Sequence, residues 1–246
     1  YGVPSGITVS VNAGNGNDFI QVGDGDVDDI NTGVQGNVAI TGGAGTDSVS
    51  FFDFLDNIGN DDITVTSSTI QKTASSTSGV VSYGTVEEIT VTGNPQNDTF
   101  LLNSALSTVN YIFNGFGGND TLVVGAGDFD AIAGNVTLAG GAGPDLVRIT
   151  DSTDTGHDPY QVSGNRFEKT VGGTGSVVAS SSTEQMVVLG NTGSSTWSVP
   201  QLSSFLDVTL TGGAGNDSFS GFFGNNFDDN LQSSLTFQGG VGTDSI

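Results

Sequence analysis

Short runs in which an apolar residue alternates with Thr or Ser recur along the whole chain, and glycine cuts most of them off. Ile63-Thr64-Val65-Thr66, Ile89-Thr90-Val91-Thr92 and Val208-Thr209-Leu210-Thr211 show the two-residue period. That period turns one face of a strand to a core and the other to water. The pattern predicts strands of three to six residues whose inward Val, Ile, Leu and Phe stack into ladders. No segment sustains a 3.6-residue period, so no long helix is predicted.

The interruptions are themselves regular. Gly-Gly-x-Gly-x-Asp stands intact from Gly42 to Asp47, Gly140 to Asp145, Gly212 to Asp217 and Gly239 to Asp244, and degenerate forms end at Asp18, Asp98 and Asp120. The closest of these aspartates are 22 to 29 residues apart, whereas the gaps from Asp47 to Asp98 and from Asp145 to Asp217 leave room for coils that lack the signature. Strand, tight turn and strand at a period in the twenties describe one coil of a solenoid. The predicted fold is all-β, a right-handed parallel β-helix (β-solenoid) with coils of about 22–29 residues and Gly-Asp corners.

A longer period overlies the short one. Asp47 returns at Asp145, Gly93-Asn94 at Gly190-Asn191, Asp120 at Asp217, and Ile70, Lys72 and Thr73 as Phe167, Lys169 and Thr170, always 97 or 98 residues on. The domain expectation is one continuous solenoid over residues 1–246, with super-repeats at approximately 1–82 (partial), 83–180 and 181–246 (partial). Neither end resembles a cap, so the chain is expected to be part of a longer polypeptide, or a subunit whose copies stack end to end.

Charge narrows the partners. The chain carries 27 acidic residues, 23 of them Asp, against Lys72, Arg148, Arg166 and Lys169, for a net charge of −23. Nucleic acid and anionic membranes are excluded as partners, because both need clustered Lys and Arg. No apolar run is long enough to insert in a bilayer. Asp in place of Glu suits turns, and it suits calcium, which takes oxygen ligands. The chain has no Cys, in keeping with an exported bacterial protein that does without disulfides.

The corner motif resembles the nonapeptide of the RTX, or hemolysin-type, calcium-binding proteins. The resemblance implies calcium held between coils by glycine carbonyls and Asp carboxylates. Its ligands would be Asp47, Asp145, Asp217 and Asp244, with Gly42, Gly140, Gly212 and Gly239 opening the corners and Asp18, Asp98 and Asp120 as weaker members. RTX nonapeptides run in tandem, whereas these are solitary, which implies a wider β-helix. The longer texture is similar to repeats of very large bacterial surface proteins and adhesins. Electrostatics bears on the ion directly. Carboxylates stacked about 4.8 Å apart repel by about 3 kcal/mol at an effective dielectric of about 20. They need cations, outward splay or protons. Two readings stay open: each Asp is a calcium ligand, or it caps its own turn as Asn would.

Two further acidic groups are candidates. Asp24-Gly25-Asp26-Val27-Asp28-Asp29 is echoed by Asp128-Phe129-Asp130 and Asp228-Asp229, and Asp26, Asp28, Asp128 and Asp130 are taken as possible calcium ligands. It is not an EF-hand: counting from Asp24, the sixth residue is Asp29 and the twelfth Gln35, where that loop needs Gly and Glu. Asp53, Asp56, Asp61 and Asp62, matched by Asp151, Asp154 and Asp158, form the other group.

No serine-nucleophile elbow, zinc-protease helix or phosphate loop occurs. His157, flanked by Gly156 and Asp158, reads as an exposed loop residue, and Trp197, which matches Phe100, as core. The expected function is a non-catalytic structural or adhesive module outside the cell, in a surface layer, filament, matrix or large adhesin, with calcium as its ion. Neighbouring copies and a cell-surface polysaccharide are the other expected partners. The alternative is a carbohydrate-active β-helix enzyme, a lyase using Arg148 or Arg166 or a glycosidase using an acidic pair.

Overall fold

In a computed structural model, described for residues 2–23, 30, 33–54, 59–74, 77–171, 175–221 and 233–246, the chain is all-β. Its alternating runs form two long sheets. In hydrogen-bonding order the first holds β1 (Thr8–Asn15), β3 (Asn37–Ala44), β7 (Val81–Gly84), β6 (Thr69–Lys72), β5 (Asp62–Val65), β9 (Thr99–Leu102), β11 (Thr121–Val124), β13 (Leu146–Thr150), β17 (Gln185–Leu189), β19 (Asp207–Thr211) and β21 (Leu235–Gln238). The second holds β2 (Phe19–Val22), β4 (Ser48–Phe52), β8 (Glu88–Thr92), β10 (Asn110–Gly117), β12 (Asn135–Ala142), β16 (Ser176–Ala179), β15 (Arg166–Lys169), β14 (Pro159–Gly164), β18 (Thr196–Leu202) and β20 (Ser218–Gly221). Outside two three-stranded insertions the chain alternates strictly, one strand to each sheet. Helical structure among the described residues is limited to a 3-10 turn, Phe129–Ala131, and to Ile30 and Gly33.

Pairing is parallel except around β6 and β15, which run against both neighbours. In each case the chain jumps ahead, returns through one reversed strand, and lands beside the strand it had left. β7 pairs with β3, and β5 with β9; likewise β16 pairs with β12, and β14 with β18. Sequence reasoning expects only parallel strands, because a two-residue period carries no information about direction. Local turns set the reversals. Thr66 N–H donates to the Thr69 carbonyl (2.9 Å) and the two hydroxyls hydrogen-bond at 2.7 Å, closing β5 onto β6. Gly164, at φ +65°, closes β14 onto β15.

The core lies between the sheets as ladders of like side chains. Ile63, Phe100, Leu122, Val147, Met186 and Val208 are in register on successive strands, and each is at most 1% exposed. Val49, Ile89, Tyr111, Val136 and Val177 make the opposing ladder. Burying each such side chain is worth about 1.5–3 kcal/mol. Trp197 is buried against Tyr160, with ring centroids 4.4 Å apart, and Phe100 is also buried, as their shared position predicts. His157 is exposed. No helix among the described residues is long and apolar enough to cross a membrane.

Candidate functional site: corner carboxylates and buried lysines

Each Gly-Asp corner stacks directly on the next, and one rule governs the contact. The N–H of a corner Asp donates to the Oδ1 of the corner Asp one coil further on, while the residue after the further Asp returns a hydrogen bond to the first Asp's carbonyl. Asp18 N–H thus reaches Asp47 Oδ1 (2.9 Å) and Ser48 N–H reaches Asp18 O (2.9 Å). Asp98 donates to Asp120 (2.8 Å), Asp120 to Asp145 (2.7 Å) and Asp217 to Asp244 (3.0 Å). The residue before the Asp bonds the opposite way: Asn17, Asn97 and Asn216 accept from the N–H of Thr46, Asn119 and Thr243. Pro144, with no N–H, breaks this outer row at the corner above Asn119. The corners therefore do more than cap their own turns; their side chains stitch one coil to the next.

Glycine at the first motif position follows from the same geometry. A Cβ on Gly42, Gly140, Gly212 or Gly239 would overlap Oδ2 of Asp47, Asp145, Asp217 or Asp244 respectively. At the second position Gly43, Gly141, Gly213 and Gly240 have φ from +96° to +117° and rest on a backbone carbonyl of the preceding coil.

The stitching leaves a debt of polarity. Oδ2 of Asp18, Asp47, Asp120, Asp145 and Asp217 is buried with no hydrogen-bond partner. Burial pushes the Asp98 carboxyl up to about 8, against the pull of the Asp61 and Asn94 N–H groups, and the Asp120 carboxyl up to about 7. Burial also raises Asp145 and Asp217. Hard, anionic, half-satisfied oxygens fit a calcium ion or a proton. The corner aspartates do not themselves gather in threes around one point among the described residues, so further ligands there would be backbone carbonyls, which the glycine turns supply.

The columns of corners begin and end in a defined way. Asp18 and Asp47 lie where the chain passes from the first sheet to the second, and Glu87 closes that column by accepting from Asp47 N–H (2.7 Å). A second column, on the opposite edge, starts at Asp61, whose N–H donates to Asp98 Oδ1 (3.2 Å), and runs through Asp120 and Asp145 to Glu184, which accepts from Asp145 N–H (2.8 Å). The third returns to the first edge with Ser195, Asp217 and Asp244; Ser195 stands where Asp98 does in the preceding super-repeat. Glu87 and Glu184 escape sequence reasoning because no glycine motif marks them, although their 97-residue spacing does.

Where columns change edge, a lysine is buried. Lys72 and Lys169 take core-facing positions at the ends of the reversed strands β6 and β15 and have no exposed side-chain surface. Lys72 Nζ lies 2.7 Å from Asp53 Oδ2 and 2.8 Å from Asp61 Oδ2. Lys169 Nζ lies 2.6 Å from Asp130, 3.1 Å from Asp151, 2.8 Å from Asp154 and 3.2 Å from Asp158. Asp151, Asp154 and Asp158 place carboxylate oxygens within 4.8 Å of one another, the one trio among the described residues close enough to share a metal, and the ammonium is already bonded to all three. Burial alone would lower the Lys169 amine, but the hydrogen bonds it donates to Asp130, Asp154 and Asp151 hold it above its ordinary value. The Lys169 bond holds Asp154 down at about 2. Burial raises Asp158, and it raises Asp53 to about 7 in spite of Lys72.

Of the remaining candidates, Asp128 caps the 3-10 turn by accepting from Asp130 N–H (2.9 Å), and Asp130 turns to Lys169. Asp24, Asp26, Asp28, Asp29, Asp56, Asp228 and Asp229 lie outside the described residues. Arg148 is exposed on β13, and Arg166 pairs with Glu168 on the surface. No family model matches the chain, and no curated protein matches its sequence.

Proposed function

We propose that this chain is a stretch of right-handed parallel β-solenoid that works outside the cell as a non-catalytic structural or adhesive module, with calcium bound along its glycine-aspartate corners. The observation that carries the reading is the set of buried corner carboxylates Asp47, Asp120, Asp145 and Asp217, each with one oxygen bonded to the neighbouring coil and the other left without a partner. Two largely parallel sheets visited in alternation, outside the two reversed strands, suit a solenoid, and parallel crossovers are right-handed in about 98% of cases. The RTX resemblance supplies the ion. Asp47, Asp120, Asp145 and Asp217 would be the principal carboxylate ligands, with Asp18, Asp98 and Asp244 flanking them. Calcium would neutralise the stacked charge and tie coil to coil, which suits a load-bearing surface, filament or matrix component. Neighbouring copies or further repeats would continue the sheets, and a cell-surface polysaccharide is the expected adhesive ligand.

Calorimetric titration of chelator-treated protein with calcium tests this. Binding should be seen in the intact chain and should weaken stepwise in Asp120→Asn and Asp145→Asn. Heat-silent titration with unchanged melting would leave the corners as hydrogen-bonded turns.

A further inference from the structure

The Lys72 node is enclosed. Lys72, Asp53 and Asp61 are all 0% exposed, and Lys72 Nζ touches both carboxylates at 2.7 and 2.8 Å. The outer oxygens, Asp53 Oδ1 and Asp61 Oδ1, are buried with no hydrogen-bond partner. An amine, a carboxyl and a second carboxylate are therefore held together where water neither solvates the charges nor competes as a nucleophile. We propose that Lys72 and Asp53 condense into an intramolecular amide, a covalent cross-link between the end of β6 and the segment that follows β4.

The chemistry balances within the three side chains. Asp53 and Asp61 share the Lys72 ammonium out of reach of water, where two adjacent carboxylates disfavour double ionisation; with the proton on Asp53, its Cγ is the electrophile. The Lys72 ammonium passes a proton to the Asp61 carboxylate, and the free amine attacks Asp53 Cγ. The Nζ–Cγ bond forms, a Cγ–O bond breaks, and the hydroxyl leaves as water with a second proton from nitrogen. An ammonium, a carboxylic acid and a carboxylate become an amide, a water molecule and a carboxylic acid, so a charged pair in a dry site is replaced by neutral groups. No oxidant or cofactor is needed. Asp61 is the proton carrier and Asp53 the acyl donor.

The Lys169 node marks the limit of the inference. Two of its carboxylates are open to solvent, Asp130 at 45% and Asp154 at 20%, and the surrounding acids hold its amine charged. It should stay an ion pair.

Intact mass of the full chain, measured under denaturing conditions, should fall short of the sequence mass by one water. Digestion should yield a branched peptide joining the Lys72 and Asp53 segments. Lys72→Met and Asp53→Ala should each restore the full mass, Asp61→Asn should leave a large uncyclised fraction, and Lys169→Met should still lack one water. A full-length mass in the unmodified chain, with Lys72 open to amine reagents after denaturation, overturns the proposal. So does a deficit that survives Lys72→Met, since Asp24-Gly25 can lose water by succinimide formation without lysine. None of these readings depends on calcium.

Discussion

The corners and the lysine nodes solve one problem in two ways. At a corner, acidic groups stack coil on coil, and carboxylates such as Asp120 and Asp145 lend one oxygen to a backbone N–H while leaving the other open. At the Lys169 node the positive charge is built in, bonded to four carboxylates at 2.6 to 3.2 Å. A corner would respond to its surroundings, since a proton or an ion would complete it. The Lys169 node cannot, because its cation is covalently part of the chain. The nodes fall where the corner column changes edge, so fixed groups anchor the ends of the adjustable rows.

The largest effect should come from removing a built-in charge. Lys169→Met leaves buried Asp151 and Asp158 without their counter-ion and should cost about 3–5 kcal/mol in denaturant unfolding. The same variant sharpens the contrast: with the ammonium gone, the Asp151, Asp154 and Asp158 trio can take a metal, so millimolar calcium should stabilise Lys169→Met by more than it stabilises the parent. Equal calcium responses would mean that the trio does not act as a cation site.

Calcium at the corners comes next. An ion that binds only the folded state adds about 2.7 kcal/mol per site at a hundredfold excess over Kd, and melting should rise between chelator and calcium. Gly140→Ala should cost about 1–3 kcal/mol, because its methyl group overlaps Asp145 Oδ2. Gly84→Ala is the control. Nothing lies within 4 Å of that Cβ, and its effect should stay within about 0.5 kcal/mol. Comparable losses in the two variants would remove the corner's special standing.

The slope with pH is the smallest effect. Asp98 and Asp120 bind protons more tightly folded than unfolded, so their contribution is complete below about pH 4 and is lost as pH rises toward about 8 and about 7. In chelator, stability should fall by about 1.4 kcal/mol per pH unit for each carboxyl across that window. Calcium, which competes with the proton, should flatten the slope. A chelated protein that grew more stable from pH 5 to pH 8 would show that these carboxyls are ionised and satisfied.

The corners were legible because glycine is costly to replace there: the motif records where a Cβ meets a carboxylate or a carbonyl. Strands were legible because burial imposes a two-residue period, and Trp197 because it inherits a core position from Phe100. The nodes were half legible. Lys72 and Lys169 recur 97 residues apart, and so do Asp61 and Asp158, yet nothing in a linear pattern says that a strand will reverse and carry its lysine back to an acid. Glu87 and Glu184 stayed hidden for a related reason. They act through a longer side chain reaching from an ordinary-looking turn, and only the neighbouring coil gives them a task.

The super-repeat holds an odd number of strands. β5 corresponds to β14 and β8 to β17, nine strands on, so matching residues lie in opposite sheets. Whatever such an array displays once per super-repeat would point left, then right, like leaves on a stem. A flat partner lying along one side would meet only every second copy, at twice the spacing the sequence suggests, while two partners could be gripped on opposite flanks by neighbouring copies of one motif. A sequence period here is thus half of a spatial one.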